Sequence, residues 1–123
     1  MKTKGRAMNV LVADDQIGIL ESLTLLIEEK GHNVDLVSDG KKALDMIIKN
    51  DYDLAFIDHS MPGLSGLELI QYIKKHNIKI TTVMITGDKG MKAILARSYG
   101  AQEYIEKPFE VKQIDDILTK YAK

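Results

Sequence analysis

Three aspartates stand where an apolar run has just ended. Asp14 and Asp15 follow MNVLVA, residues 8–13, and Asp58 follows DLAFI, residues 53–57. Two further reactive side chains sit in comparable places. Thr86 closes KITTVMIT, residues 79–86, and Lys107 lies between EYIE, residues 103–106, and Pro108. A carboxylate half desolvated at the tip of an apolar segment costs free energy unless something pairs with it. If the first and third of these segments are neighbours, three carboxylates share one pocket. Two unit charges ~4 Å apart repel by about 4 kcal/mol at an effective dielectric of 20. A hard divalent cation, Mg2+ (or Mn2+), relieves that repulsion and suits one or two carboxylates, a carbonyl and retained waters. With a hydroxyl and an ammonium alongside, the set suits phosphoryl transfer. The metal and Lys107 would offset charge on the phosphoryl oxygens, and Thr86 would donate a hydrogen bond to one of them. Asp58 would be the nucleophile that takes up the group as an acyl phosphate.

Taken singly, each residue has an ordinary explanation. A strand-end Asp is commonly a turn former or a helix cap, and an Asp pair opening a helix is favoured by the macrodipole alone. A Lys-Pro step usually signifies nothing, and Ser38-Asp39 reads as the cap of a helix. What overturns the ordinary explanations is convergence of acids, hydroxyl and lysine at one end of a sheet.

The elements that must do this positioning alternate along the chain. Strands are expected at 8–13, 33–37, 53–57, 79–86 and 103–106. The first helix places Ile17, Leu20, Leu23 and Ile27 on one face and stops at Gly31. A second, 40–49, turns Ala43, Leu44, Ile47 and Ile48 inward. Ser65 with Glu68 three places on is a capping-box pattern opening a third. A fourth is expected over 89–98, with Met91, Ile94 and Leu95 inward and Gly100 as its stop. The last carries Val111, Ile114, Leu118 and Tyr121 at helical spacing. Five strand–helix units in strict alternation predict an α/β fold, a parallel sheet with helices on both faces. Ligand sites in that class lie beyond the carboxyl ends of the strands.

The bulk numbers set limits. At 123 residues the chain is one domain by size, expected as a disordered tail over 1–7 and a folded unit over 8–123. Cysteine is absent, which excludes disulfides and thiolate metal sites and fits a cytoplasmic location. The net charge is −1, so the basic surplus that drives direct nucleic-acid binding is missing. Lys2, Lys4 and Arg6 read as a solvated terminus rather than a nucleic-acid arm. No apolar run approaches the ~18 residues that a membrane span needs, so no membrane insertion is expected.

The segments VLVADD at 10–15 (Leu11 carrying no information), DHSMPGLSG at 58–66, MITG around Thr86 and YIEKPF at 104–109 occur in an order that resembles the response-regulator receiver domain of two-component signalling. The resemblance covers nearly the whole chain. It implies a five-stranded parallel sheet in the order 2-1-3-4-5, the flavodoxin-like receiver fold. It implies that Asp58 is the phosphoacceptor, Asp14 and Asp15 the metal acids with Asp15 the more direct ligand, and Ser60 the residue whose backbone carbonyl binds the metal. Thr86 matches the switch hydroxyl, Tyr104 the switch aromatic and Lys107 the phosphate-contacting lysine, with a cis bond before Pro108. Phosphorylation would pull Thr86 toward the phosphoryl group, let Tyr104 swing inward and reshape the face of helix four, strand five and helix five. Implied partners are a sensor histidine kinase or histidine phosphotransferase and a downstream protein target. Ser60 and Asp88 border the path of attacking water and would tune the lifetime of the phosphorylated state. Gly87 replaces an alanine common after the switch threonine. His59 alternates to the side opposite Asp58 and reads as a core or surface histidine.

Rival readings fare less well. A flavodoxin-like electron carrier must cradle a flavin phosphate in its first loop, where ADDQIG presents two carboxylates. A phosphatase of the haloacid-dehalogenase type needs a second Asp two residues after the nucleophile, where this chain has Ser60. A receiver fold acting as an interaction module without phosphorylation, or a receiver belonging to a larger transcription factor or hybrid kinase, remains the alternative.

Overall fold

The computed structural model describes residues 7–122. Lys2, Lys4 and Arg6, and most of the expected tail, lie outside the described residues. Five strands, β1 (Asn9–Ala13), β2 (Asn33–Val37), β3 (Leu54–Ile57), β4 (Thr81–Thr86) and β5 (Glu103–Glu106), alternate with five helices. These are α1 (Ile17–Glu29), α2 (Gly40–Lys49), α3 (Gly66–Lys75), α4 (Ala93–Tyr99) and α5 (Val111–Tyr121). The strands form one parallel sheet in the order β2-β1-β3-β4-β5, as the resemblance implies.

Strand residues divide between two cores by the alternation of a pleated backbone. Leu11, Ala13, Ala55, Ile57 and Met84 face a layer made by α2, α3 and α4, where Ala43, Ile47, Leu69, Ile70, Ile73 and Ala96 are buried. Val10, Val12, Leu54, Phe56, Val83 and Ile85 face α1 and α5, meeting Leu23, Ile27, Ile114 and Leu118. Burial on both faces explains why VLVA of β1, LAFI of β3 and VMI of β4 read as continuous apolar runs rather than alternating ones. Helix ends also follow local chemistry. Asp39 accepts the Lys41 and Lys42 amides at the start of α2, and Ser65 and Glu68 close the capping box of α3. Gly31, with φ 88°, follows the last turn of α1, in a conformation that costs a residue with a Cβ far more than it costs glycine.

Several expectations need correction. Met8, Asp53, Lys79 and Ile80 lie outside the strands assigned to them. The fourth helix begins at Ala93 rather than 89, because Asp88 to Met91 form a turn in which the Met91 amide donates to the Asp88 carbonyl. Met91 is buried from that turn, whereas Ile94 and Leu95 are exposed. Ile17 and Val111 are exposed too. Ile17, Ile94 and Val111 each stand in the first turn of a helix. Ile48 is exposed although Ile47 beside it is buried, so the two lie on different faces of α2.

Candidate functional site

The carboxyl ends of β1, β3, β4 and β5 converge, and ladder hydrogen bonds hold the site backbone just past each strand. The Asp14 amide donates to the Val37 carbonyl, Asp58 to Ala13, and Lys107 to Thr86. The sheet thus delivers three side chains from three distant segments into one place without relying on a flexible loop. The β3–α3 connection is pinned as well. A Cβ at Gly66 would lie 2.5 Å from the Asp58 carbonyl oxygen and 2.7 Å from the His59 Cα, so only glycine lets α3 begin this close to the acceptor. The Lys107–Pro108 bond is cis, as the resemblance implies.

Asp14 and Asp58 are buried and Asp15 is exposed. One carboxylate oxygen from each lies within 4.8 Å of the others. Lys107 Nζ approaches to 2.7 Å of Asp14 Oδ2 and 3.5 Å of Asp58 Oδ1, and it donates to Gln16 Oε1 at 2.8 Å. Its side chain is 11% exposed, so these charges interact with little solvent screening. Burial, reinforced by the charge of Asp14, pushes the Asp58 carboxyl up to about 6, with Lys107 pulling the other way. Three carboxylates facing one ammonium leave an excess of negative charge, the frustration expected of the strand ends.

The same donor set can hold a divalent cation. Asp14 Oδ1 accepts the Gln16 amide at 2.9 Å, while buried Oδ2 accepts no aligned hydrogen bond among the described residues. Its contact with Lys107 is therefore an ion pair off the hydrogen-bonding direction. A buried carboxylate oxygen with no aligned hydrogen bond, two other carboxylates within reach and only oxygen donors fit a hard ion.

The remaining candidates border this cluster. Thr86 is buried at the end of β4, and its Oγ1 accepts the Asp88 amide at 3.0 Å. Asp88 is exposed and uses Oδ1 to accept the Gly90 amide at 2.8 Å. Tyr104 is half-buried on β5 and donates to the Met91 carbonyl at 3.3 Å. Burial, with Glu106 and Asp88 nearby, raises its phenol. Ser60 is exposed on the loop after β3. One residue and one contact escaped the sequence reading. Gln16 was not singled out at all, although a glutamine where a helix prefers a short capping residue was a usable signal. His59 is half-buried and sets Nε2 4.0 Å from Asp88 Oδ2, linking the β3–α3 and β4–α4 loops. Nothing in the local sequence pairs those two.

Known proteins share the sequence pattern and the fold. The sequence profile described as "Response regulator receiver domain" matches residues 10–119. The transcriptional regulatory protein DltR of Streptococcus agalactiae is 31% identical over 114 residues, covering 92% of this chain and 50% of that protein. The chain spans about half the length of several such relatives. Sporulation initiation phosphotransferase F of Bacillus subtilis is 29% identical over 113 residues, 91% of each. The receiver domain of the Francisella response regulator 1452 superposes with a TM-score of 0.84 at 33% identity, covering 94% of this chain and 99% of that one. Among the described residues no helix is long and apolar enough to cross a membrane.

Proposed function

Because the chain belongs to the response regulator receiver family, we propose that it takes a phosphoryl group onto Asp58 from a phosphohistidine of a sensor histidine kinase or histidine phosphotransferase. The reaction is Mg2+-dependent, and the face built from α4, β5 and α5 signals the change to a downstream protein. The observation that carries this reading is the buried Asp58 carboxylate, 3.5 Å from the Lys107 ammonium and within the three-carboxylate cluster.

With its carboxyl at about 6, Asp58 is ionised at neutral pH and able to attack. Its oxygen bonds to phosphorus as the P–N bond of the donor breaks, and the imidazole leaves with that electron pair and takes up a proton. Lys107 offsets charge on the phosphoryl oxygens. Asp14, Asp15, Asp58 and the Ser60 carbonyl would hold a Mg2+, which would supply further positive charge there. Thr86 gives up the Asp88 amide to bond a phosphoryl oxygen, and Tyr104 leaves the Met91 carbonyl and moves inward. Ser60 and Asp88 set how long the acyl phosphate survives attack by water.

Intact mass after incubation with acetyl phosphate tests the core of this reading, with and without Mg2+, on wild type and Asp58→Asn. One added phosphoryl group requiring both Mg2+ and Asp58 is expected. No addition from acetyl phosphate or from an active histidine-kinase donor would leave an interaction module in its place.

A further inference from the structure

Gln16 occupies the N-cap position of α1 and makes no side-chain cap. Ser, Thr, Asp and Asn are preferred there because a short side chain reaches back to the first-turn amides. The Gln16 side chain instead turns away from its own helix and accepts from Lys107 Nζ at 2.8 Å, across 91 positions of sequence. Its backbone amide meanwhile donates to Asp14 Oδ1. A ring closes from Asp14 through Gln16 to Lys107 and, by the 2.7 Å ion pair, back to Asp14.

The ring answers a positional problem. Lysine carries its charge on a flexible four-carbon stem, and Asp14 attracts that charge more closely than Asp58 does. A cation taken up by Asp14 would weaken that attraction and leave the ammonium without its nearest anchor. Gln16 is a neutral acceptor outside the three-carboxylate cluster, so it can keep its contact while the charge balance of the pocket changes. We infer that Gln16 is a positioning residue: its amide oxygen holds the Lys107 ammonium beside Asp58, ready for the phosphoryl oxygens. This rests on the reading of Asp58 as the phosphoacceptor, and it adds a residue that acts only through the lysine.

The test is a double-mutant cycle on Gln16→Met and Lys107→Met, since only residues that act together depart from additivity. Two quantities are read: the initial rate of phosphoryl uptake from acetyl phosphate with Mg2+, and the unfolding equilibrium constant in urea without it. Gln16→Met is expected to slow uptake on the order of tenfold, the lower end of what one hydrogen bond to a charged donor is worth. In the Lys107→Met background it should slow uptake no further. The unfolding constants should show a coupling of similar size. An unchanged rate in Gln16→Met overturns the inference, and so does equal slowing in both backgrounds. If wild type or Lys107→Met takes up no phosphoryl group, the unfolding cycle decides alone. Additive unfolding constants then refute the anchoring, while coupling upholds the Gln16–Lys107 contact and places the failure on the phosphoacceptor reading alone.

Discussion

Replacing Asp58 with asparagine is expected to stabilise the metal-free protein at neutral pH. Burial and Asp14 raise the Asp58 carboxyl from an ordinary 3.8 to about 6. Each tenfold change in proton affinity corresponds to about 1.4 kcal/mol, so keeping the group ionised in the fold costs about 3 kcal/mol at pH 7.5. The folded form binds the proton more tightly than the unfolded chain. This cost is therefore absent below pH 3.8, grows as pH rises, and is complete above about 6, the direction that linkage requires. Asparagine stands in for the protonated carboxyl and removes the cost. Urea unfolding in EDTA should place Asp58→Asn about 3 kcal/mol above wild type at pH 7.5, about 10 °C in melting temperature for a domain of this size. The gain should shrink toward zero near pH 4. Saturating Mg2+ should narrow it at pH 7.5 by stabilising the wild type, since an ion that binds only the folded state adds stability by mass action. Equal stability in EDTA at pH 7.5, or a gain as large at pH 4, would refute the picture of three frustrated carboxylates.

Gly66→Ala forces a methyl against the Asp58 carbonyl and the His59 Cα, backbone atoms that cannot yield. Urea unfolding should show a loss of at least about 2 kcal/mol, and the folded fraction should phosphorylate more slowly. Gly87→Ala is the opposite case, because its φ is not in the left-handed region and the new Cβ meets Lys107 Cβ at 3.6 Å. It should gain about 0.5 kcal/mol by restricting the unfolded chain, and any loss in the same assay contradicts the ordinary contact. His32 is buried, accepts the Met8 amide on Nδ1 at 2.9 Å, and has its pKa lowered chiefly by that burial, with Asp53 opposing. The stability it confers is full above the ordinary 6.5 and lost as pH falls through its depressed folded value. His32→Gln should cost about 1 kcal/mol at pH 7.5, and that difference should narrow toward pH 5. A constant difference would show that proton uptake at His32 is not coupled to unfolding.

Much of the architecture was legible in the chain. The strands declared themselves because both faces of a parallel sheet are buried, which leaves apolar runs such as LAFI uninterrupted. Asp14, Asp15, Asp58, Thr86 and Lys107 could be picked out because ionic or polar groups at the tips of such runs need a reason. The capping box at Ser65 and Glu68 was legible because both its hydrogen bonds are local. The fourth helix was misplaced for a related reason. Met91, Ile94 and Leu95 have helical spacing, but periodicity alone does not tell which of a helix's apolar residues meet the sheet, and in α4 the buried one is Ala96. Ile17 and Val111 were misassigned in the same way.

What the tertiary structure alone decided are the relations between segments far apart in sequence. No local pattern announces that Gln16 meets Lys107, that His59 reaches Asp88, or that Gly66 must lack a side chain because a carbonyl lies where its Cβ would be. The raised carboxyl of Asp58 is of this kind too, since it follows from how deeply the strand end is buried and how near Asp14 is brought. Residue type and period carry information about the neighbours along a chain. Distances of 2.7 and 3.5 Å between charges on different loops exist only once the sheet has set its strand order and register.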